Sequence, residues 1–185
     1  LKTANLVVLE NSRSLSTGLI SELTSFIKDG GTVLFLPASN MDVVSINSFA
    51  NQFGVAGYVR EIKDTVRVNQ LNSKASLFNN VFEETPTNIN YPVSYHSWII
   101  REDQNSISEQ LIAYANGSSF LKKYEINSGA LFLCASNLNR NASNFGKHAL
   151  FVPTLYNMAL QSARRIQTSY QMDDSKIVLN AVQAS

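Results

Sequence analysis

Residues 5–37 confine this chain to a narrow class of folds. Asn5-Leu6-Val7-Val8-Leu9 is a short apolar run of the kind that forms a strand buried on both faces, and it closes at Glu10-Asn11. Leu19, Ile20, Leu23, Phe26 and Ile27 follow at helical spacing, with Ser14 or Ser16 as the N-cap and Gly30-Gly31 as the C-terminal stop. Thr32 to Leu36 is a second buried strand, ended by Pro37. A strand, a helix and a strand this close together imply a right-handed parallel crossover. The first third is therefore α/β. Ile46, Phe49, Ala50 and Phe53 extend it with another helical stripe, halted by Gly54.

The pattern then changes. Val59 to Val68 alternates and predicts one exposed strand, whereas residues 69–108 place isolated apolar anchors such as Leu77, Phe78 and Trp98 in a long, irregular, polar excursion. Glu109–Tyr114, Ser118–Tyr124 and Ala130–Ala135 are strand-like. Asn116-Gly117 and Asn127-Ser128-Gly129 between them are hairpin signals, so the second half holds an antiparallel meander. Leu150, Phe151, Leu155, Met158 and Ala159 predict a helix with Pro153 in its first turn. The domain is expected over residues 1–165. Residues 166–185 read as an extension in which Ile177 to Leu179 forms a further strand.

Composition narrows function by exclusion. Of 185 residues, 15 are Lys or Arg and 14 Asp or Glu, without basic runs, so no electrostatic footprint for nucleic acid exists. One Cys precludes an internal disulfide or a Cys-rich zinc site. No apolar stretch approaches the roughly 20 residues that span a bilayer. The chain begins at Leu1 without an initiator Met, as a segment of something longer would. Asn and Ser, 20 and 23 residues, supply much of the polarity without charge.

The reactive groups are few. Cys134 ends the strand Ala130–Leu133, where α/β sheets present nucleophiles, and with His148 or His96 and a carboxylate such as Glu10 a triad can be written. A nucleophile elbow needs small residues two positions to either side. Phe132 and Ser136 stand there, so a buried structural Cys is the better reading. His148 precedes the last helix and suits a capping or packing role, while His96 is expected to pack on Trp98 or face solvent. Neither His has a carboxylate at ligand spacing, so no metal is expected, and Glu102-Asp103 reads as a solvated turn. The segment after the first strand lacks a Gly-rich phosphate cradle, and Arg164-Arg165 complements a helix end. No cofactor is expected.

Phe26-Ile27-Lys28-Asp29-Gly30-Gly31 between two apolar strands resembles the core of class I glutamine amidotransferase-like domains. Ser128-Gly129-Ala130-Leu131-Phe132-Leu133, Ser136-Asn137-Leu138-Asn139, Ser143-Asn144-Phe145 and Ala149 to Leu155 resemble the closing portion of that domain in Bacteroidetes membrane proteins of the aerotolerance (Bat) type. The resemblance implies a flavodoxin-like three-layer sandwich with a parallel core and an antiparallel extension. It also implies a periplasmic domain held at the inner membrane by helices outside this segment, with envelope proteins as partners and a strand upstream of residue 1. Members of that group generally lack the amidotransferase nucleophile, and no Gly-x-Cys-x-Gly elbow occurs here.

The resulting expectation is a non-catalytic recognition domain. Its site would lie at the carboxyl ends of the parallel strands, at Glu10, Asn11, Ser39 and Asn40, joined by Asn137 and Arg140. The competing readings are a cysteine-dependent amidotransferase or hydrolase using Cys134 and His148, and an assembly domain whose open sheet edge pairs with a partner or a second copy.

Overall fold

A computed structural model describes residues 4–78, 90–102 and 106–163. Its first strand, β1 (Leu6–Ser12), leads through helix α1 (Thr17–Lys28) to β2 (Thr32–Pro37), and β1 and β2 run parallel in the register Leu6 to Thr32 through Glu10 to Leu36. Ser16 is the N-cap: its Oγ accepts from the Leu19 amide at 3.3 Å. At the other end Gly30 takes φ +98°, and the Gly31 amide donates to the Phe26 carbonyl at 2.8 Å, a left-handed turn that frees the chain to enter β2. Helix α2 (Val43–Asn51) follows, with Asp42 Oδ1 accepting from Val44 and Ser45 amides at 3.1 and 3.3 Å.

The expected single strand over Val59–Val68 is instead two. Tyr58–Ile62 (β3) and Val66–Leu71 (β4) are separated by exposed Lys63-Asp64-Thr65 and enter different sheets. Period-two alternation is blind to such a break when both pieces keep the same phase. The irregular excursion also contains structure: a short 3-10 turn at Ser76–Phe78, then β5 (Val93–Ser94) and β6 (Ser97–Ile100). Strands of two and four residues are too short to carry a periodicity, and β6 finds its antiparallel partner in the distant β3.

The remaining strands, β7 (Ser108–Tyr114), β8 (Ser119–Ile126) and β9 (Gly129–Cys134), form the antiparallel meander. Its turns use Gly117 at φ +84° and Asn127 at φ +51°. β9 then lies parallel to β2, and among the described residues the main sheet has the order β1-β2-β9-β8-β7-β4-β5. Helix α3 (Phe151–Ala163) places Pro153 in its first turn and packs Phe151, Leu155 and Met158 toward Leu34, Leu36 and Leu121 of the sheet. Arg164-Arg165 and Ile177 to Leu179 lie outside the described residues.

Burial grades across this sheet. Every residue of β2 and β9 is buried, but β1 is only partly so, with Val8 40% exposed. The expectation of a β1 buried on both faces is thus corrected: among the described residues β1 is an edge strand, paired only with β2. An isolated apolar pentapeptide cannot report whether a neighbour exists on its second edge.

One contact fixes the depth of α1 on the sheet. A Cβ at Gly129 would sit 2.0 Å from the Ile27 carbonyl oxygen and 2.7 Å from that of Gly31, so the start of β9 touches the end of α1 backbone to backbone. Gly129→Ala is therefore expected to destabilise the chain by about 3 kcal/mol or more through forced separation of helix and strand. Urea denaturation checks this; a loss within the few tenths typical of surface substitutions would contradict the contact.

Candidate functional site

The three parallel strands β1, β2 and β9 end on the same side of the sheet. Glu10 and Asn11 lie among the last residues of β1 there, and Asn11 takes φ +55° at a register shift between Glu10 and Ser12. Ser39 and Asn40 follow β2, and these four side chains are exposed, as is Arg140 in the loop after β9. Asn137 differs from its expected companions. It is 2% exposed, its Nδ2 donates to the Pro37 carbonyl at 3.0 Å, and its Oδ1 accepts from the Asn139 amide at 2.9 Å.

Two more side chains close the same strand ends. The Trp98 indole N–H donates to the Ala38 carbonyl at 3.0 Å, and Tyr58 Oη donates to the Cys134 carbonyl at 2.7 Å. Burial, with the nearby Cys134 and Tyr124, pushes the Tyr58 hydroxyl well above its ordinary value, so it remains a donor. Ser136 Oγ, 2.7 Å from the His96 carbonyl, and Ser143 Oγ, 2.8 Å from the Asn137 carbonyl, continue the seam. Its donors satisfy carbonyls that the sheet would otherwise leave buried and unpaired.

Cys134 sits beneath this seam with no exposed surface, beside Leu34, Leu36, Leu121, Phe145 and Met158. Burial pushes its thiol up to about 12 despite hydrogen bonds from the Ser136 and Ala135 backbone. Near neutral pH it is a thiol, and the thiolate is the nucleophile. His148 stands before α3 with both ring nitrogens engaged: Nδ1 accepts from the Leu150 amide at 3.2 Å and Nε2 meets the Asn90 carbonyl.

The structure brings together a pair that the sequence reading did not. Of the two expected settings, the solvent-facing one is corrected: the His96 side chain is 15% exposed, and its Nε2 pairs with Glu61 Oε1. The β3–β6 register sets Glu61 opposite Trp98 and Ile62 opposite Ser97, which carries the turn residue His96 over Glu61. Lys63 Nζ lies 3.4 Å from the other carboxylate oxygen. Burial raises the Glu61 pKa, but the hydrogen bonds and positive charge of His96 and Lys63 outweigh it, leaving the carboxyl below its ordinary value. Glu102 is likewise more than a solvated turn, since it accepts from Lys122 Nζ at 2.6 Å and Ser119 Oγ at 3.1 Å. Lys122, only 3% exposed, needs such a partner. Asp103 lies outside the described residues. A spacing of 35 residues separates Glu61 from His96, and only the strand pairing makes them neighbours.

Among the described residues no group of three or more His, Cys, Asp or Glu is arranged to hold a metal ion. No described helix is long and apolar enough to cross a membrane.

No family model matches the chain, and no curated protein matches it. Solved structures do. Two cytoplasmic proteins from Salmonella typhimurium are similar at TM-score 0.59, with 12% and 11% sequence identity, over 84% of this chain and 70% and 71% of theirs. A beta-galactosidase from Rahnella sp. R3 is similar at TM-score 0.56 and 11% identity, over 88% of this chain but only 23% of the enzyme. Identities this low speak to fold alone. The parallel β1-β2-β9 core with its antiparallel strands is the class I glutamine amidotransferase-like α/β fold.

The Glu61–His96 pair generates a pH dependence. A carboxyl lowered in the folded state contributes stability above its ordinary pKa, and that contribution is lost as pH falls through the lowered folded value. Glu61→Gln is therefore expected to lower Tm at neutral pH and to flatten its decline on acidification. Parallel Tm profiles for the two proteins would contradict the pairing.

Proposed function

We propose that this chain is a non-catalytic recognition domain of a membrane-anchored cell-envelope protein, binding a protein or a small ligand on the periplasmic side of the inner membrane. The observation that carries the non-catalytic part is the state of Cys134: its side chain has no exposed surface, and burial holds it as a thiol. The strand ends beside it are filled by Trp98, Tyr58 and Asn137 side chains, which already use the carbonyls there. What remains exposed is a nearly neutral rim of Glu10, Asn11, Ser39, Asn40 and Arg140, suited to hydrogen bonding more than to charge steering. The membrane tether and the periplasmic side rest on the resemblance to the Bat-type proteins, in which the anchoring helices lie outside this segment. At the edge of the main sheet, β1 has its outer side unpaired among the described residues and offers main-chain groups to a protein partner.

The competing reading, a cysteine-dependent amidotransferase or hydrolase using Cys134 and His148, needs a reachable thiolate. Iodoacetamide at neutral pH separates the two. The native chain is expected to resist alkylation while the guanidinium-unfolded chain is modified completely, as intact mass would report. Rapid stoichiometric alkylation of the native chain would sink the non-catalytic reading.

A further inference from the structure

Beyond the strand ends, the face of the sheet around β4 and β7 carries an open groove of about 320 Å³, within the roughly 300–1,000 Å³ common for small-ligand sites. Asn69, Gln70 and Asn72 line it from the β4 side, Gln110 and Leu111 from β7, and Tyr91 forms a wall. Leu111 is fully buried behind the groove, Tyr91 is half-buried, and Asn69, Gln70 and Gln110 are exposed. Leu71 and Ala113 complete the lining; four of its eight residues bear carboxamides, and none bears a charge at neutral pH.

The amides are not spent on one another. Among the described residues Asn69 and Gln70 make no side-chain hydrogen bond. Asn72 Nδ2 donates to Glu109 Oε1 at 3.1 Å, which fixes that amide and leaves its Oδ1 as an acceptor. Gln110 Nε2 donates to the Gly117 carbonyl at 3.1 Å and to Ser119 Oγ at 2.9 Å, so its Oε1 is the end left for a ligand. The groove therefore offers free donors and acceptors on planar forks, held by a strand pair and beside one aromatic ring.

We propose that this groove is a binding site for a neutral saccharide. Vicinal hydroxyls are each donor and acceptor, and a carboxamide presents both functions at matching separation. A pyranose also has an apolar C–H face, which the half-buried Tyr91 ring can cover. Phosphorylated or carboxylated ligands would find no cation in the lining to offset their desolvation. The inference rests on the recognition reading above and names the ligand class for it, at a place separate from the strand ends.

The test is a titration of the 15N-labelled chain with four uncharged probes: maltohexaose, cellohexaose, mannohexaose and chitohexaose. An uncharged Gly-Ser-Asn peptide and glycerol serve as controls. The expected result is saturable perturbation by at least one sugar, centred on the side-chain amide signals of Asn69, Gln70 and Gln110. Asn69→Ala and Gln70→Ala, both at exposed positions, are expected to weaken binding roughly tenfold each with Tm unchanged. The assignment is overturned if no sugar saturates, if the peptide or glycerol does as well as the sugars, or if perturbations centre on Glu10 and Ser39 instead. Failure here with Cys134 still resistant to alkylation removes only the groove; alkylation of native Cys134 removes the recognition reading itself.

Discussion

Three side-chain hydrogen bonds hold the working end of this fold. Trp98, Tyr58 and Asn137 donate to the carbonyls of Ala38, Cys134 and Pro37, the last residues of β2 and β9 and the one just beyond. Each donor comes from outside the parallel core, so each bond also anchors something. Tyr58 and Trp98 tie the small β3–β6 sheet to the strand ends, and Asn137 ties the loop after β9 to β2. A buried carbonyl left unpaired costs on the order of 1–3 kcal/mol, which makes each of these donors difficult to dispense with. In an open α/β sheet the carboxyl ends of the strands are the usual place for a ligand. Here the protein's own side chains occupy much of that place.

That arrangement explains the disposition of the reactive groups. Cys134 lies under the seam, where apolar neighbours keep it protonated. His96 is turned to Glu61, and Ser136 gives its proton to the His96 carbonyl rather than meeting the ring. The Glu61–His96 pair thus braces the β3–β6 sheet. Asn and Ser, 20 and 23 of the 185 residues, supply polarity without charge, and on that the recognition proposed above relies.

The parts legible in the sequence are those whose cause is local. The β1-α1-β2 unit follows from two apolar runs, a 3.6-residue stripe and Gly30-Gly31, all within 37 residues. The meander follows from the Asn-Gly and Asn-Ser-Gly turns. Val59–Val68 was opaque because two strands in the same phase look like one. β5 and β6 were opaque because their length is below a period, and their partners lie far away in sequence. The same limit hid the Glu61–His96 and Glu102–Lys122 pairs. Of the strand-end residues, Glu10, Asn11, Ser39 and Asn40 do lie where the parallel crossover puts them, while the burial of Asn137 depends on the Pro37 carbonyl that it meets. The amide-lined groove spans β4, β7 and Tyr91, and no sequence window contains it.

The most direct test of the closed strand ends uses the one Trp in the chain. Its indole N–H gives a single, unambiguous resonance, and in this structure that proton is committed to the buried Ala38 carbonyl. Hydrogen exchange should find it protected to the level of the β2 and β9 amides, opening only with global unfolding. Exchange at the rate of a solvent-exposed indole, with those amides still protected, would contradict the account: the strand ends would then be open, and the seam would not be what holds them.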